Sequence, residues 1–224
     1  MTKIIVSYDG TANEDDAIAL GRIFADAGAE VSLGYVRHTD EAVSDEEAQG
    51  VLDRGASLFG ATFASSHAVT DRSTPHGLSA LAEQIGAQVV VFCSDSHTAQ
   101  GHVTIGNSAQ QLLEGGPVAV AIAPAGLAQH SESVQRVVSV GEPEGDGSAQ
   151  ATAQALAGAL GAQVVPVADE QADLLVIDSR KEAAQGRVSI SASASHLIEI
   201  ATCPVLVTPR GVALSFGRPV ALTA

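Results

Sequence analysis

Residues 87–126 read AQVVVFCSDSHTAQGHVTIGNSAQQLLEGGPVAVAIAPAG, and residues 172–211 repeat this stretch without a gap as ADLLVIDSRKEAAQGRVSISASASHLIEIATCPVLVTPRG. Fifteen of the 40 aligned positions are identical, including Gly101 with Gly186 and Pro124 with Pro209. Similarity at a fixed offset, here 85 residues, indicates that one structural unit occurs twice. The sequence therefore predicts two tandem domains, at residues 1–126 and 135–224.

In the first domain, short apolar runs alternate with helical patterns. The apolar runs predict strands over residues 3–8, 30–36, 62–68, 88–93 and 118–123. Helix signals predict helices from a cap at Asn13 to residue 27, from a capping box at Ser44 to residue 59, from Pro75 to Gly86, and over 108–114. Alternating strands and helices predict an α/β fold with a parallel sheet covered on both faces.

The second domain is predicted to lack its middle. Residues 136–140 and 174–177 correspond to the first and fourth strands, and residues 148–160 to the first helix. Val6 and Val91 are 85 residues apart in the first domain, whereas Val138 and Val176 are only 38 apart. Residues 167–173 leave no room for a helix, so about one helix-strand-helix block is missing. We expect the tail, residues 211–224, to cover the edge that this loss exposes.

Composition restricts the possible partners. The formal net charge is −15 and the pI is near 4.6, which argues against binding nucleic acid, because such binding needs clustered Lys and Arg. No basic segment leads into a long apolar run, so we expect no membrane partner. Cys93 and Cys203 stand at non-equivalent positions of the repeat and outside any CxxC pair. Free thiols in a cytoplasmic protein are the simplest interpretation.

The chain resembles the universal stress protein family along essentially its whole length. The first domain carries this likeness in KIIVSYDG, EVSLGYV, VVVFCSD, GNSAQQLL and PVAVAIAP, and the second in ATCPVLVTP. The resemblance implies tandem Rossmann-like domains of the adenine nucleotide alpha hydrolase type. It also implies that the last strands, 118–123 and 205–208, pair in antiparallel fashion as an internal pseudo-dimer, which would bury two edge strands.

The residues themselves indicate a nucleotide crevice in the first domain. Ligands of open parallel sheets sit beyond the carboxyl ends of the strands where the strand order reverses, here between the first and fourth strands. Asp9 follows the first strand, and Ser94 follows the fourth. Gly106, Asn107 and Ser108 come where a helix begins, so their backbone N–H groups and side chains can receive a phosphate.

The family resemblance adds specific roles. In ATP-binding members, the acid after the first strand, here Asp9, meets the nucleoside. The backbone at the end of the second strand, here Val36, holds the adenine. The family's phosphate motif is Gly, two residues, Gly, nine residues, Gly, then Ser or Thr. It falls on Cys93, Ser96, Gly106 and Asn107, so one of three glycines remains, and we expect Cys93 and Ser96 to narrow the phosphate loop or to force another path.

Three interpretations stay open. The first is a stress-response sensing or regulatory module that binds ATP or another adenine nucleotide in the first domain. The second is a protein-interaction module of the same fold without a nucleotide, with an unknown protein partner and further oligomerisation allowed. A slow ATPase is the third, although no GxSxG, Walker lysine, HExxH or paired metal-ligand spacing occurs.

The second domain is expected to bind no nucleotide. The matching motif positions are Asp178, Lys181, Ser191 and Ala192, and Gly141 replaces the acid after the first strand. No motif glycine remains, and Asp178 would place negative charge where a phosphate belongs.

Overall fold

The computed structural model describes residues 1–11, 13–39, 43–60, 63–130, 133–166 and 172–217. The strands are β1 Lys3–Ser7, β2 Glu30–His38, β3 Phe63–Asp71, β4 Val89–Cys93, β5 Ala119–Ala123, β6 Arg136–Val140, β7 Gln163–Val165, β8 Leu174–Asp178 and β9 Val205–Thr208. The α-helices are α1 Glu14–Asp26, α2 Asp45–Phe59, α3 Thr74–Ile85, α4 Asn107–Leu113, α5 Ser148–Leu160 and α6 Ala192–Ile200. Position 62, the predicted start of β3, lies outside the described residues.

The described strands form one mostly parallel sheet in the order β3-β2-β1-β4-β5-β9-β8-β6-β7. The predicted α/β fold is confirmed, but the two predicted sheets are joined into one. The joint is the antiparallel pairing of β5 with β9, which is the predicted pairing of the last strands. Both strands are fully buried, so each covers an apolar edge of the other. Ala121 pairs with Leu206, its own counterpart 85 residues later.

Two backbone hydrogen bonds between the halves, near the β5–β9 pairing, are related to each other by the 85-residue offset of the repeat. Val103 N donates to Ala201 O at 3.2 Å, and Val188 N donates to Gly116 O at 2.9 Å. Each of these bonds becomes the other when the two copies exchange places. The β5–β9 seam therefore has an approximate internal twofold symmetry.

Within the described residues, the second half has no counterpart of α2, β3 and α3. β7 corresponds to β2, but it has three residues against nine. It was not identified from the sequence, because a run of three residues with two exposed carries little pattern. Residues 167–171, on which the predicted absence of a helix partly rests, lie outside the described part of the chain.

The sheet is covered on both faces, as predicted. One core cluster joins the sheet to α1, α2 and α5 through residues such as Phe24, Leu52 and Leu156. The other includes Leu81 of α3 and Ile198 of α6. These side chains are at most 2% exposed, and each is worth about 1.5–3 kcal/mol of burial free energy. None of the described helices is both long and apolar enough to cross a bilayer.

The starts of α1 and α2 show where a local capping signal in the sequence predicts the contacts and where it does not. Ser44 and Glu47 form the predicted capping box of α2. Asn13 does stand at the N-cap of α1, but its side chain makes no capping bond and its φ is +71°. Its amide instead donates to Asp95 O at 3.1 Å, which joins the β1–α1 loop to the β4–α4 loop.

The described part of the tail, residues 211–217, does not cover the β7 edge. Leu214 N donates to Thr152 Oγ1 of α5 at 2.9 Å, and Gly217 N donates to Ala27 O behind α1 at 3.0 Å. Phe216 stacks on Phe24 with ring centroids 5.9 Å apart. The tail therefore runs from α5 to α1, where Phe216 packs against Phe24. Residues 218–224 lie outside the described residues.

Candidate functional site

The carboxyl ends of β1 and β4 form the switch point of the sheet. β1 pairs with β2 on one side and with β4 on the other, and the chain leaves these strands in opposite directions across the sheet. This is where open α/β sheets bind ligands. The predicted loops after β1 and β4 both lie here, and the bond from Asn13 to Asp95 connects them.

Glu14 is the first residue of α1, and its side chain turns back onto the loop after β1. Asp9 is exposed, and its Oδ1 accepts from Thr11 N at 2.9 Å. Glu14 is only 6% exposed, and its Oε2 accepts from the backbone N–H groups of Asp9 and of Gly10, the latter at 2.7 Å. Burial, followed by the negative charge of Asp9, raises the pKa of Glu14 to about 8. Glu14 was not predicted as a site residue, since an acid in the first turn of a helix ordinarily faces solvent.

Asp16 is a second buried carboxylate of α1, with a structural role. Its oxygens accept from Gly126 N at 2.8 Å and from Ala128 N at 2.7 Å. Carboxylates in the first turn of a helix, such as Asp15 and Asp16, ordinarily complement the helix dipole. Asp16 additionally ties α1 to the turn that follows β5.

Ser94, a predicted ligand contact, is buried and engaged by the protein. Its hydroxyl donates to Ala123 O at 2.7 Å and accepts from Thr104 N at 3.1 Å. Its counterpart Ser179 makes the equivalent bonds to Thr208 O at 2.7 Å and from Ser189 N at 3.2 Å. In both halves this serine fixes the loop after the strand.

Cys93 lies beside the buried acids. Burial, with smaller contributions from Glu14 and Asp9, raises the pKa of its thiol to about 12. The thiol is therefore neutral at physiological pH. Cys93 therefore places an uncharged side chain at the start of the β4–α4 loop, at the first position of the phosphate motif, where the universal stress protein family has a glycine.

The predicted phosphate-binding residues are accessible. Ser96 is exposed, and its Oγ lies 3.1 Å from Nδ1 of the exposed His97. Asn107 is exposed and Ser108 is half-buried at the start of α4. Gly106 provides no side-chain cap there.

The corresponding helix of the second half is capped. Ser191 Oγ accepts from Ala194 N at 3.1 Å, and the same hydroxyl donates to Glu142. The starts of α4 and α6 therefore differ in their available backbone N–H groups.

Val36 is not the last residue of its strand, since β2 continues to His38. Its side chain is buried in the core. Tyr8 N, just past the end of β1, donates to Gly34 O. Because alternate residues of a strand direct their backbone groups to the same neighbour, Val36 directs its N–H and C=O to the side where β1 has ended.

Asp178, the last residue of β8, is the second-half counterpart of Cys93 at the end of β4. It is 2% exposed, and its Oδ1 accepts from Ala149 N at the start of α5 at 2.6 Å. The sequence predicted that its charge lies where a phosphate would bind. In the structure, the carboxylate accepts a hydrogen bond at the start of α5.

A cavity of about 760 Å³ lies away from the switch point, between α1, α5 and the segments that follow β5 and precede β9. Arg22, Leu127, Asp173 and Cys203 are among its lining residues. No sequence pattern indicated it, because its walls come from both halves. Within the described ranges, no group of three or more His, Cys, Asp or Glu residues could hold a metal ion.

No protein-family model and no curated protein matches the chain. Among solved structures, a protein of unknown function from Pseudomonas aeruginosa PAO1 has a TM-score of 0.65 at 14% identity, over 94% of this chain and 93% of that one. A candidate universal stress protein from Pseudomonas aeruginosa UCBPP-PA14 has a TM-score of 0.62 at 14% identity, over 93% of each chain. A universal stress protein from Archaeoglobus fulgidus has a TM-score of 0.61 at 15% identity, over 93% of this chain and 98% of that one. The chain therefore shares its α/β fold, over nearly its whole length, with solved proteins that include universal stress proteins.

Proposed function

We propose that the chain is a tandem universal stress protein, a stress-response sensing or regulatory module that takes ATP or another adenine nucleotide in the crevice of its first domain. The two domains are residues 1–126 and 135–224, the second truncated. The fold shared over both halves with solved structures supports the tandem assignment.

The observation that carries the nucleotide proposal is the difference between the two crevices. The first half has its full set of strands and helices and an uncapped start of α4, whereas Ser191 caps the equivalent helix α6. Exposed Ser96 and Asn107 flank the first crevice. A nucleotide would place its phosphates there and its adenine against the backbone of Val36, with Asp9 at the nucleoside.

Calorimetric titration with ATP tests this proposal. Asp9→Ala should weaken binding about tenfold or more, because a hydrogen bond to a charged group is worth about 1.5–3 kcal/mol. The matched control is Glu83→Ala, which removes an exposed carboxylate near the end of α3. Equal affinity in wild type and Asp9→Ala would reject the site.

Two observations favour the alternative, a protein-interaction module without a nucleotide. Glu14 is buried at the switch point, and Cys93 and Ser96 stand where the family has glycines. Mass spectrometry of small molecules released from gently purified protein separates the two functions. An adenine nucleotide at a stoichiometric level supports the first, and its absence together with no ATP binding in calorimetry supports the second.

A further inference from the structure

Two carboxyl groups lie close together where β1 passes into α1, one exposed and one buried. Asp9 is exposed, whereas Glu14 is only 6% exposed. Oε2 of Glu14 accepts from the backbone N–H groups of Asp9 and Gly10. A side-chain hydrogen bond with Asp9 favours the neutral form of Glu14. Asp9 and Glu14 therefore form an acid pair that can hold one proton between two carboxyl groups.

The charge of the acid pair depends on pH. Ionising Glu14 would place a second negative charge beside Asp9 in a position that water hardly reaches. Burial and the charge of Asp9 together raise the pKa of Glu14 to about 8. The acid pair accordingly gains a negative charge as the pH rises through about 8.

The groups around the acid pair do not release protons in the same range. Burial raises the pKa of Tyr8, at the end of β1, above its ordinary value of 10.0, and burial raises that of Cys93 to about 12. Both stay neutral while Glu14 ionises. The charged or titratable side chains of the surrounding elements are Asp15 and Asp16 on α1, Arg54 on α2, and Asp95 and His97 on the β4–α4 loop. Arg54 lies 3.9 Å from Asp15, on which its charge is used.

The acid pair lies beside the loop that is predicted to receive a phosphate. The charges of Glu14 and Asp9 add to the effect of burial on the thiol of Cys93, the first position of the phosphate motif. Charges that disfavour a thiolate there also disfavour a phosphate. Asn13 donates to Asp95 O at 3.1 Å and joins the two loops. Residues 8–13 and 94–106 contain no Lys or Arg that could offset the acids.

We propose that Glu14 must hold a proton for the first crevice to accept a phosphorylated ligand, so that an adenine nucleotide binds together with one proton from solvent. This inference rests on the proposed nucleotide site and defines the charge state in which that site accepts its ligand. Glu14 determines specificity through its contacts with Asp9 and the loop. When Glu14 is ionised, the acid pair repels a phosphate, whereas an uncharged nucleoside is little affected.

The test is calorimetric titration of the full chain with AMP and with adenosine, from about pH 7.5 to about pH 9.5. The phosphate of AMP is already ionised throughout this range. The affinity of wild type for AMP should fall about fivefold or more, because the ionised fraction of Glu14 rises from about a quarter to nearly all. The affinity for adenosine should change little. Titration of AMP at pH 8.5 in two buffers with different ionisation enthalpies should show uptake of most of one proton.

Glu14→Gln keeps an oxygen for the loop N–H groups but cannot ionise, so its affinity for AMP should not depend on pH. Asp15→Asn is the matched control, because it removes the next carboxylate of α1 and leaves the acid pair in place. It should retain the wild-type pH profile and proton uptake.

A pH dependence that is specific to AMP and absent from Glu14→Gln supports the proposal. AMP binding that is independent of pH in wild type, or a pH profile unchanged in Glu14→Gln, overturns it while the nucleotide site stands. Failure of wild type to bind either ligand at any pH rejects the nucleotide site and this inference together. If only Glu14→Gln fails to bind, infrared difference spectra of wild type at pH 8.5 decide. A protonated-carboxyl band gained with AMP supports the proposal, and no gain overturns it.

Discussion

Replacing Glu14 by Gln should stabilise the protein at neutral and alkaline pH. Gln has nearly the same size and keeps an oxygen that accepts from Asp9 N and Gly10 N, but it cannot ionise. In the folded protein the carboxyl of Glu14 is enclosed by the loop and lies near the acid Asp9 and the neutral thiol of Cys93. The cost of ionising it there is what the substitution removes.

The size of the effect follows from the shifted pKa. An increase from 4.5 to about 8, at about 1.4 kcal/mol per pH unit, sets an upper bound of roughly 5 kcal/mol. Relaxation of the loop and entry of water reduce such penalties, so we expect about 2–5 kcal/mol by pH 8. The sign follows from the raised pKa. The stability contributed by neutral Glu14 is fully present below pH 4.5 and is lost as pH rises through about 8.

Urea unfolding followed by circular dichroism from pH 4.5 to 9 measures the effect. The difference in unfolding free energy between Glu14→Gln and wild type should increase with pH, by at most about 1.4 kcal/mol per unit, and level off above pH 8. Glu46→Gln, an exposed change in the first turn of α2, is the control. A difference that stays constant with pH, or a Glu14→Gln protein less stable than wild type at pH 8, would refute the reasoning.

Restoring both motif glycines, with Cys93→Gly and Ser96→Gly, should tighten ATP binding in calorimetry, since glycine lets the backbone approach a phosphate more closely than Cys or Ser does; unchanged affinity would mean that the loop follows another path. Titration should give at most one nucleotide per chain, because no motif glycine remains in the second domain, and two equivalent sites would contradict this expectation. Gly126→Ala and Gly211→Ala should each lower Tm by several degrees in thermal scans, because these residues have φ of +86° and +72° and an added methyl group would meet Gln100 or Gln185. Unchanged Tm values in both variants would show that the turns adapt without strain.

The repeat predicted much of the fold because its apolar positions carry over at one offset. β8 matches β4 residue for residue when shifted by 85, and β9 lies at the shifted position of β5. The antiparallel seam was predictable for a physical reason as well, since two apolar edge strands need cover. The strand β7 was not, because it is short and half exposed.

The site was predicted less completely, since its contacts join distant parts of the chain. Asn13 has the residue type of a capping side chain, yet its partner, Asp95, is 82 residues away. Ser94 stands where a ligand contact is expected, but its hydroxyl is used by its own loop. Nothing in the local sequence shows that Glu14 turns back onto the residues before its helix. The roles of the remaining site residues stay predictions.

The β5–β9 seam lies within one polypeptide, and this changes what a substitution can do. In an assembly of two identical chains, every change at a symmetric interface appears twice, so a carboxylate acquired by one crevice is acquired by both. Here one crevice has Cys93 and Gly106 where the other has Asp178 and Ser191. The connector also fixes the two halves at a high effective concentration, so the seam cannot separate on dilution. Each side is thereby free to specialise while the other preserves the shared sheet.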